Sequence, residues 1–116
     1  MANRSSWEKR ANARFSFFAD AEATLSDGTV VPAQVAELSS RGCYIGALVP
    51  IPLGTEFRLR ISDGIRTCEL QGKVIYLHSS NGLGLFGMGV RFGQMGAGHR
   101  SVIDAWLAEL AAKVPV

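Results

Sequence analysis

Cysteine and histidine are scarce in this chain, and their scarcity excludes more than the abundant residues establish. Only two of each occur among 116 residues. Cys43 and Cys68 are too far apart for a CxxC pair, and neither His78 nor His99 has a cysteine, histidine or carboxylate partner at a metal-ligand spacing. A metal centre is therefore not expected, and the two thiols read as buried and reduced. Long apolar runs are missing too. Nothing approaches the roughly 18 residues that a membrane span needs. The polar opening Met-Ala-Asn-Arg-Ser-Ser lacks the apolar core of a signal peptide, so the expected location is the cytoplasm. Charge of one sign is not in excess: 12 Lys and Arg against 10 Asp and Glu leave +2, too little for a nucleic-acid coat. No nucleophile elbow or paired-carboxylate motif stands out, so catalysis is not expected. Asp63 and Glu69 read as solubilising charges at strand edges.

What is present fits one small domain. A composition of 47% hydrophobic and 19% charged residues is that of a folded chain. This length buries enough surface for a core without disulfides. It is too short for a two-domain dehydrogenase or a TIM barrel, and the composition is not that of a coiled coil. Thirteen glycines exceed the roughly 7% background and suggest many turns joining short strands.

Phe15 to Leu25 and Thr29 to Leu38 read as a hairpin across Ser26-Asp27-Gly28, with Pro32 marking an edge position, a bulge or a strand start. Cys43 to Val49 follows the turn Ser39-Ser40-Arg41-Gly42. Phe57, Leu59 and Ile61 alternate with Arg58, Arg60 and Ser62, which gives a strand with one buried face. Asp63-Gly64 turns the chain into Arg66 to Leu77, where Gly72 suggests a bulge. Leu83 to Phe92 completes about six strands, the pattern of a small barrel or sandwich. Only the C-terminus has helical periodicity: Val102, Ile103, Trp106, Leu107, Leu110, Ala111 and Val114 share one face. Ser101 and Asp104 resemble a capping box, and Trp106 is the expected anchor on the barrel.

Gly82-Leu83-Gly84-Leu85-Phe86-Gly87 matches GxGxxG literally. The dinucleotide fingerprint needs a helix to open directly after it, whereas Met88-Gly89-Val90-Arg91-Phe92 reads as a strand. A glycine-rich hairpin is the better reading. The remaining charge asymmetry lies at the start, where Arg4, Lys9, Arg10 and Arg14 outweigh Glu8 by three, leaving a near-neutral body. By itself this is a solvated basic arm over residues 1–14.

Two segments give that arm a different meaning. Arg10-Ala11-Asn12-Ala13-Arg14 places arginines four apart, and one hairpin later comes Glu37-Leu38-Ser39-Ser40-Arg41-Gly42. Together they resemble the PilZ domain family, whose signature is RxxxR followed roughly twenty to thirty residues on by [DN]xSxxG. Gly89-Val90-Arg91-Phe92 is similar to the end of that family's last strand. The resemblance implies an all-β fold with one C-terminal helix: arm 1–14, a six-stranded antiparallel barrel over 15–97, and a helix over 98–116 packed on it.

It also implies a non-catalytic receptor for cyclic di-GMP, with no cofactor. Arg10 and Arg14 would pair with phosphate or with guanine O6 and N7, or stack on a purine. Ser39 would offer a hydroxyl, and Gly42 would let the backbone approach a flat base. Glu37 departs from the Asp or Asn of the motif: its carboxylate can still accept from a guanine edge, but with one more torsion to freeze, at up to ~1 kcal/mol. Lys9, Ser40 and Arg41 are adjacent candidates. Ordering of the arm would then present a surface to a downstream protein. Two alternatives stand beside this reading. One is a PilZ-like interaction module without ligand, for which Glu37 is the visible sign. The other is a single-stranded nucleic-acid barrel, which would need Phe15, Phe17 and Phe18 as stacking platforms.

Overall fold

The computed structural model describes residues 13–79 and 85–113. Six strands, β1 (Phe15–Thr24), β2 (Val30–Leu38), β3 (Gly42–Ala47), β4 (Glu56–Ser62), β5 (Thr67–His78) and β6 (Phe86–Phe92), are followed by one helix, α1 (Ala97–Lys113). All pairings are antiparallel, and they close in the order β1-β2-β3-β6-β5-β4. Each Asp-Gly turn forms where the sequence predicts it. Asp27 Oδ1 accepts from Thr29 N at 2.9 Å, and Gly28 takes a φ of 90° that other residues resist. Gly64 does the same at 92°.

Closure places alternate side chains inside. Val31, Val35, Leu38, Ile45, Leu59, Ile61, Leu70, Val74, Met88 and Val90 fill the barrel with Cys43 and Cys68 among them, both free thiols. Burial pushes the Cys68 thiol up to about 11, and it raises Cys43 further still. Pro32 lies in a stretch of β2 that is paired to β1 but lies beyond the β3 ladder, which begins at Gln34. That is the local edge a residue without an N–H requires.

Alternation is broken at three bulges. On β1 two residues, Phe17 and Phe18, stand between the Ser16–Glu37 and Ala19–Val35 pairs, opposite Ala36 alone. On β2, Ala36 is extra relative to β3, and on β5, Ile75 is extra relative to β6. The expected bulge at Gly72 is therefore three residues further on. Gly72 is instead a packing glycine, since an added Cβ would lie 2.7 Å from Val90 Cγ1 and 3.2 Å from Phe57 Cζ. The described glycines likewise do not lie mainly in turns. Among the described residues only Gly28, Gly54 and Gly64 have positive φ, while Gly42, Gly46, Gly72, Gly87 and Gly89 lie within strands.

The helix lies against β5 and β1. Trp106 is buried, its ring centroid 4.9 Å from that of Phe17, and its Nε1–H donates to Asp63 Oδ2 at 2.9 Å. Asp63 is thus no mere solubilising charge. Its Oδ1 also accepts from Ile65 N at 2.8 Å and Arg66 N at 2.7 Å, so one carboxylate closes the β4–β5 turn and holds the helix. These bonds, led by that from Arg66, depress its pKa. Arg66 adds an ion pair to Glu109 at 2.7 Å, and His99 Nδ1 accepts from Glu69 N at 3.1 Å. Glu69 itself forms an exposed pair with Arg58 at 3.6 Å. The helix begins at Ala97, so Ser101 does not cap it; its hydroxyl donates back to Ala97 O at 3.0 Å, and Asp104 pairs with Arg100. No helix among the described residues is long and apolar enough to cross a membrane.

Candidate functional site

The β2–β3 connection is held from three sides. Ser39 donates twice to Gly42 O, from N at 2.9 Å and from Oγ at 3.1 Å, which closes the turn. Arg100, reaching from α1, donates through Nη2 to Ser40 O at 2.9 Å and to Ser40 Oγ at 3.2 Å. Phe92 N donates to Arg41 O at 2.8 Å, stitching the turn to β6. Gly42 is required by the same closeness: an added Cβ would overlap the Val90 carbonyl oxygen and stand 3.3 Å from its carbon. Its φ is not positive, so the reason is contact between β3 and β6 and not a sharp bend.

Beside this turn lies a cleft of about 240 Å³. Arg14, Glu37, Ser39, Arg41 and Gly42 line it together, although Arg14 is separated from the rest by the whole β1–β2 hairpin. Ser40 does not line it, since its polar groups are engaged by Arg100 on the helix side. Lys9 and Arg10 lie outside the described residues.

Tyr44, Tyr76 and Arg91 also line the cleft, none of them a residue of the motif. Tyr44 and Tyr76 are the partners of Gly89 on its two sides, and the row continues through Glu37, the partner of Tyr44. A Cβ on Gly89 would run into the Tyr76 ring, and one on Gly87 would run into the Tyr44 hydroxyl. These two glycines therefore form a floor on which aromatic rings lie. The rings, 6.1 Å apart, join His78, whose Nδ1 is 3.0 Å from Tyr44 Oη. Burial, followed by the neighbouring Tyr76 and Glu37, raises the Tyr44 pKa and keeps it a neutral phenol. Arg91 is the next outward residue on β6, paired with Gly42.

The cleft thus brings three arginines together with one glutamate, beside two tyrosines and a serine-closed turn. Guanidinium forks bind phosphate, aromatic faces take a planar base, and a carboxylate accepts from ring N–H donors. Sequence reasoning found the motif residues but missed the aromatic wall. Tyr44 carried a usable signal, being two residues beyond Gly42 and so on the same strand face. Of the phenylalanines considered as stacking platforms, Phe15 and Phe17 are half-buried, Phe17 against Trp106, and only Phe18 is exposed.

Fold and cleft together define a class, the small closed β-barrel with a helix on its side and an arginine-rich cleft on its outer surface. The chain belongs to the PilZ domain family, whose model matches residues 8–109. Solved structures with the same fold include the inhibitor of motility MotI/DgrA of Bacillus subtilis, with TM-score 0.72 and 14% identity. They also include YcgR of Escherichia coli in complex with c-di-GMP, with TM-score 0.74 and 14% identity. Each match covers 90% of this chain, but only 52% and 47% of those longer chains. The isolated PilZ domain of YcgR with c-di-GMP matches at TM-score 0.72 and 15% identity, over 91% of this chain and 99% of that one. A search of curated protein sequences matches none of them.

Proposed function

We propose that this chain is a non-catalytic receptor for cyclic di-GMP that acts in the cytoplasm through a protein partner. The observation that carries the reading is convergence: Arg14, Glu37, Ser39, Arg41 and Gly42 meet in one cleft, beside Arg91 and two tyrosines. The ligand offers two phosphates and two guanines, which is the chemistry this set can take. Arg14, Arg41 and Arg91 hold phosphate or a guanine edge, Tyr76 and Tyr44 take a base face, and Glu37 accepts from guanine N1–H and N2–H. Ser39 and Gly42 keep the turn in place. At about 240 Å³ the cleft is smaller than the roughly 300–1,000 Å³ pockets that enclose drug-sized ligands. A dinucleotide would stand partly proud of it, leaving groups for Lys9 and Arg10 to cover. In this reading ligand charge orders the arm, and the closed arm is the signal. The solved YcgR structures that contain c-di-GMP support the assignment of ligand class.

Glu37 favours one second reading, an interaction module that no longer binds the nucleotide. Isothermal calorimetry separates the two. Binding at tens of micromolar or below, lost or weakened at least tenfold in Arg14→Ala and tightened in Glu37→Asp, establishes the receptor. Silence in both the parent chain and Glu37→Asp rejects it.

A further inference from the structure

We propose that the groove across the outer faces of β1, β2 and β3 docks a partner protein segment bearing apolar side chains next to lysine or arginine. The groove, about 830 Å³, is distinct from the ligand cleft and shares with it a single described residue, Tyr44. The outer face of a barrel is ordinarily polar, and single exposed apolar residues carry no message. Here three converge on one concavity: Phe18 is 81% exposed, Leu48 73% and Leu85 43%.

Charge selects the occupant. Asp20 and Glu22 line the groove, and none of its described lining residues is lysine or arginine. That sign disfavours nucleotides, anionic lipid surfaces and acidic peptides, and favours a cation beside the apolar contacts. It is opposite to the sign of the ligand cleft, so the two sites do not compete for one kind of molecule. The one stretch of β2 in the groove that lies beyond the β3 ladder carries Pro32, which has no N–H to donate, so recognition falls to side chains more than to strand addition.

The shared wall gives the groove a regulatory position. His78 lines the groove with its Nδ1 3.0 Å from Tyr44 Oη, while Tyr76, its ring centroid 5.1 Å from that of His78, lines the cleft. A base resting on Tyr44 and Tyr76 fixes the ring that forms the groove wall, so nucleotide and partner segment alter each other's affinity reciprocally. This coupling rests on the nucleotide reading above; the docking site does not.

Fluorescence anisotropy on the full chain tests it, with a labelled decapeptide of alternating leucine and lysine as probe and its leucine–glutamate counterpart as control. The lysine peptide is expected to bind at least about tenfold more tightly than the control. Phe18→Ser and Asp20→Lys should each weaken it about tenfold, with thermal stability unchanged because both side chains are exposed. Saturating cyclic di-GMP should shift the affinity several-fold. Equal binding of both peptides, or binding indifferent to Phe18→Ser, overturns the docking site. A concentration-dependent dimer dispersed by Phe18→Ser also overturns it, by making a second copy the occupant. So does tighter peptide binding in Trp7→Ala, which would make the chain's own basic opening segment the occupant. Calorimetric silence toward nucleotide with the peptide results intact removes the nucleotide reading and leaves the docking site standing.

Discussion

Replacing Gly42 by alanine asks whether this glycine serves the ligand or the barrel. The added methyl would overlap Val90 O and crowd Val90 C at 3.3 Å and Arg91 Cα at 3.5 Å. Both partners are strand backbone, which cannot rotate aside as a side chain can. Restoring van der Waals contact requires β3 and β6 to part by about 1 Å at this row. Such a shift strains the two Ser39 bonds to Gly42 O, at 2.9 and 3.1 Å, and the Phe92 N bond to Arg41 O at 2.8 Å. Overpacking of this kind costs about 1–3 kcal/mol, and each strained hydrogen bond up to about 1 kcal/mol. The expected loss is about 2–4 kcal/mol. Urea unfolding followed by circular dichroism should show it as a lower midpoint at unchanged slope, with a fall in melting temperature on the order of 10 °C. A loss below about 0.5 kcal/mol with ligand affinity strongly reduced would refute the reasoning, because Gly42 would then be needed for approach of a base.

Three further outcomes follow from the geometry. Gly89→Ala places its methyl in the Tyr76 ring, a half-buried side chain on the outer surface that can swing away where strand backbone cannot, so stability should fall less than in Gly42→Ala while nucleotide affinity drops about tenfold by calorimetry. Asp63→Asn turns an amide toward the Trp106 N–H or the turn N–H groups and should cost about 1–2 kcal/mol. The depressed Asp63 pKa means its contribution is complete above the ordinary value of 3.8 and is lost as pH falls through the lower folded value. Stability profiles of parent and variant should therefore converge below about pH 4, with Asp27 and Glu109, also depressed, common to both. Cys43 and Cys68, buried and with raised pKa values, should resist a thiol reagent at pH 8 in the native chain and react fully in denaturant. Rapid native labelling would contradict the packing.

Strands, helix and both Asp-Gly turns were legible in the sequence because local patterns encode them: alternation in Phe57–Ile61, the three-and-four spacing around Trp106. The motif arginine and turn residues were legible through family resemblance. Tyr76 and Arg91 were not, for a topological reason. The barrel order places β6 between β3 and β5, so residues more than thirty positions from the Ser39–Gly42 turn stand beside it. Asp63 was misread because its partner Trp106 lies 43 residues away. The glycines were misread because composition counts them without saying which lie under a neighbour's ring.

The extra residues Ala36 and Ile75 amount to phase inverters. Val35 and Val74 face the core; if Ala36 and Ile75 took regular places in the ladder, strict alternation would send Glu37 and Tyr76 inward with them. Each of these strands is therefore two half-strands written in opposite phase, one addressed to the core and one to the cleft. Removing Ile75 would leave Tyr76 opposite Gly89 in a regular ladder, whereas pressing Ile75 into register would drive the Tyr76 phenol toward Met88 and turn Leu77 outward. The reading frame of the cleft thus depends on two residues staying out of the ladder, and whatever favours their bulges holds Glu37 and Tyr76 on the outer surface.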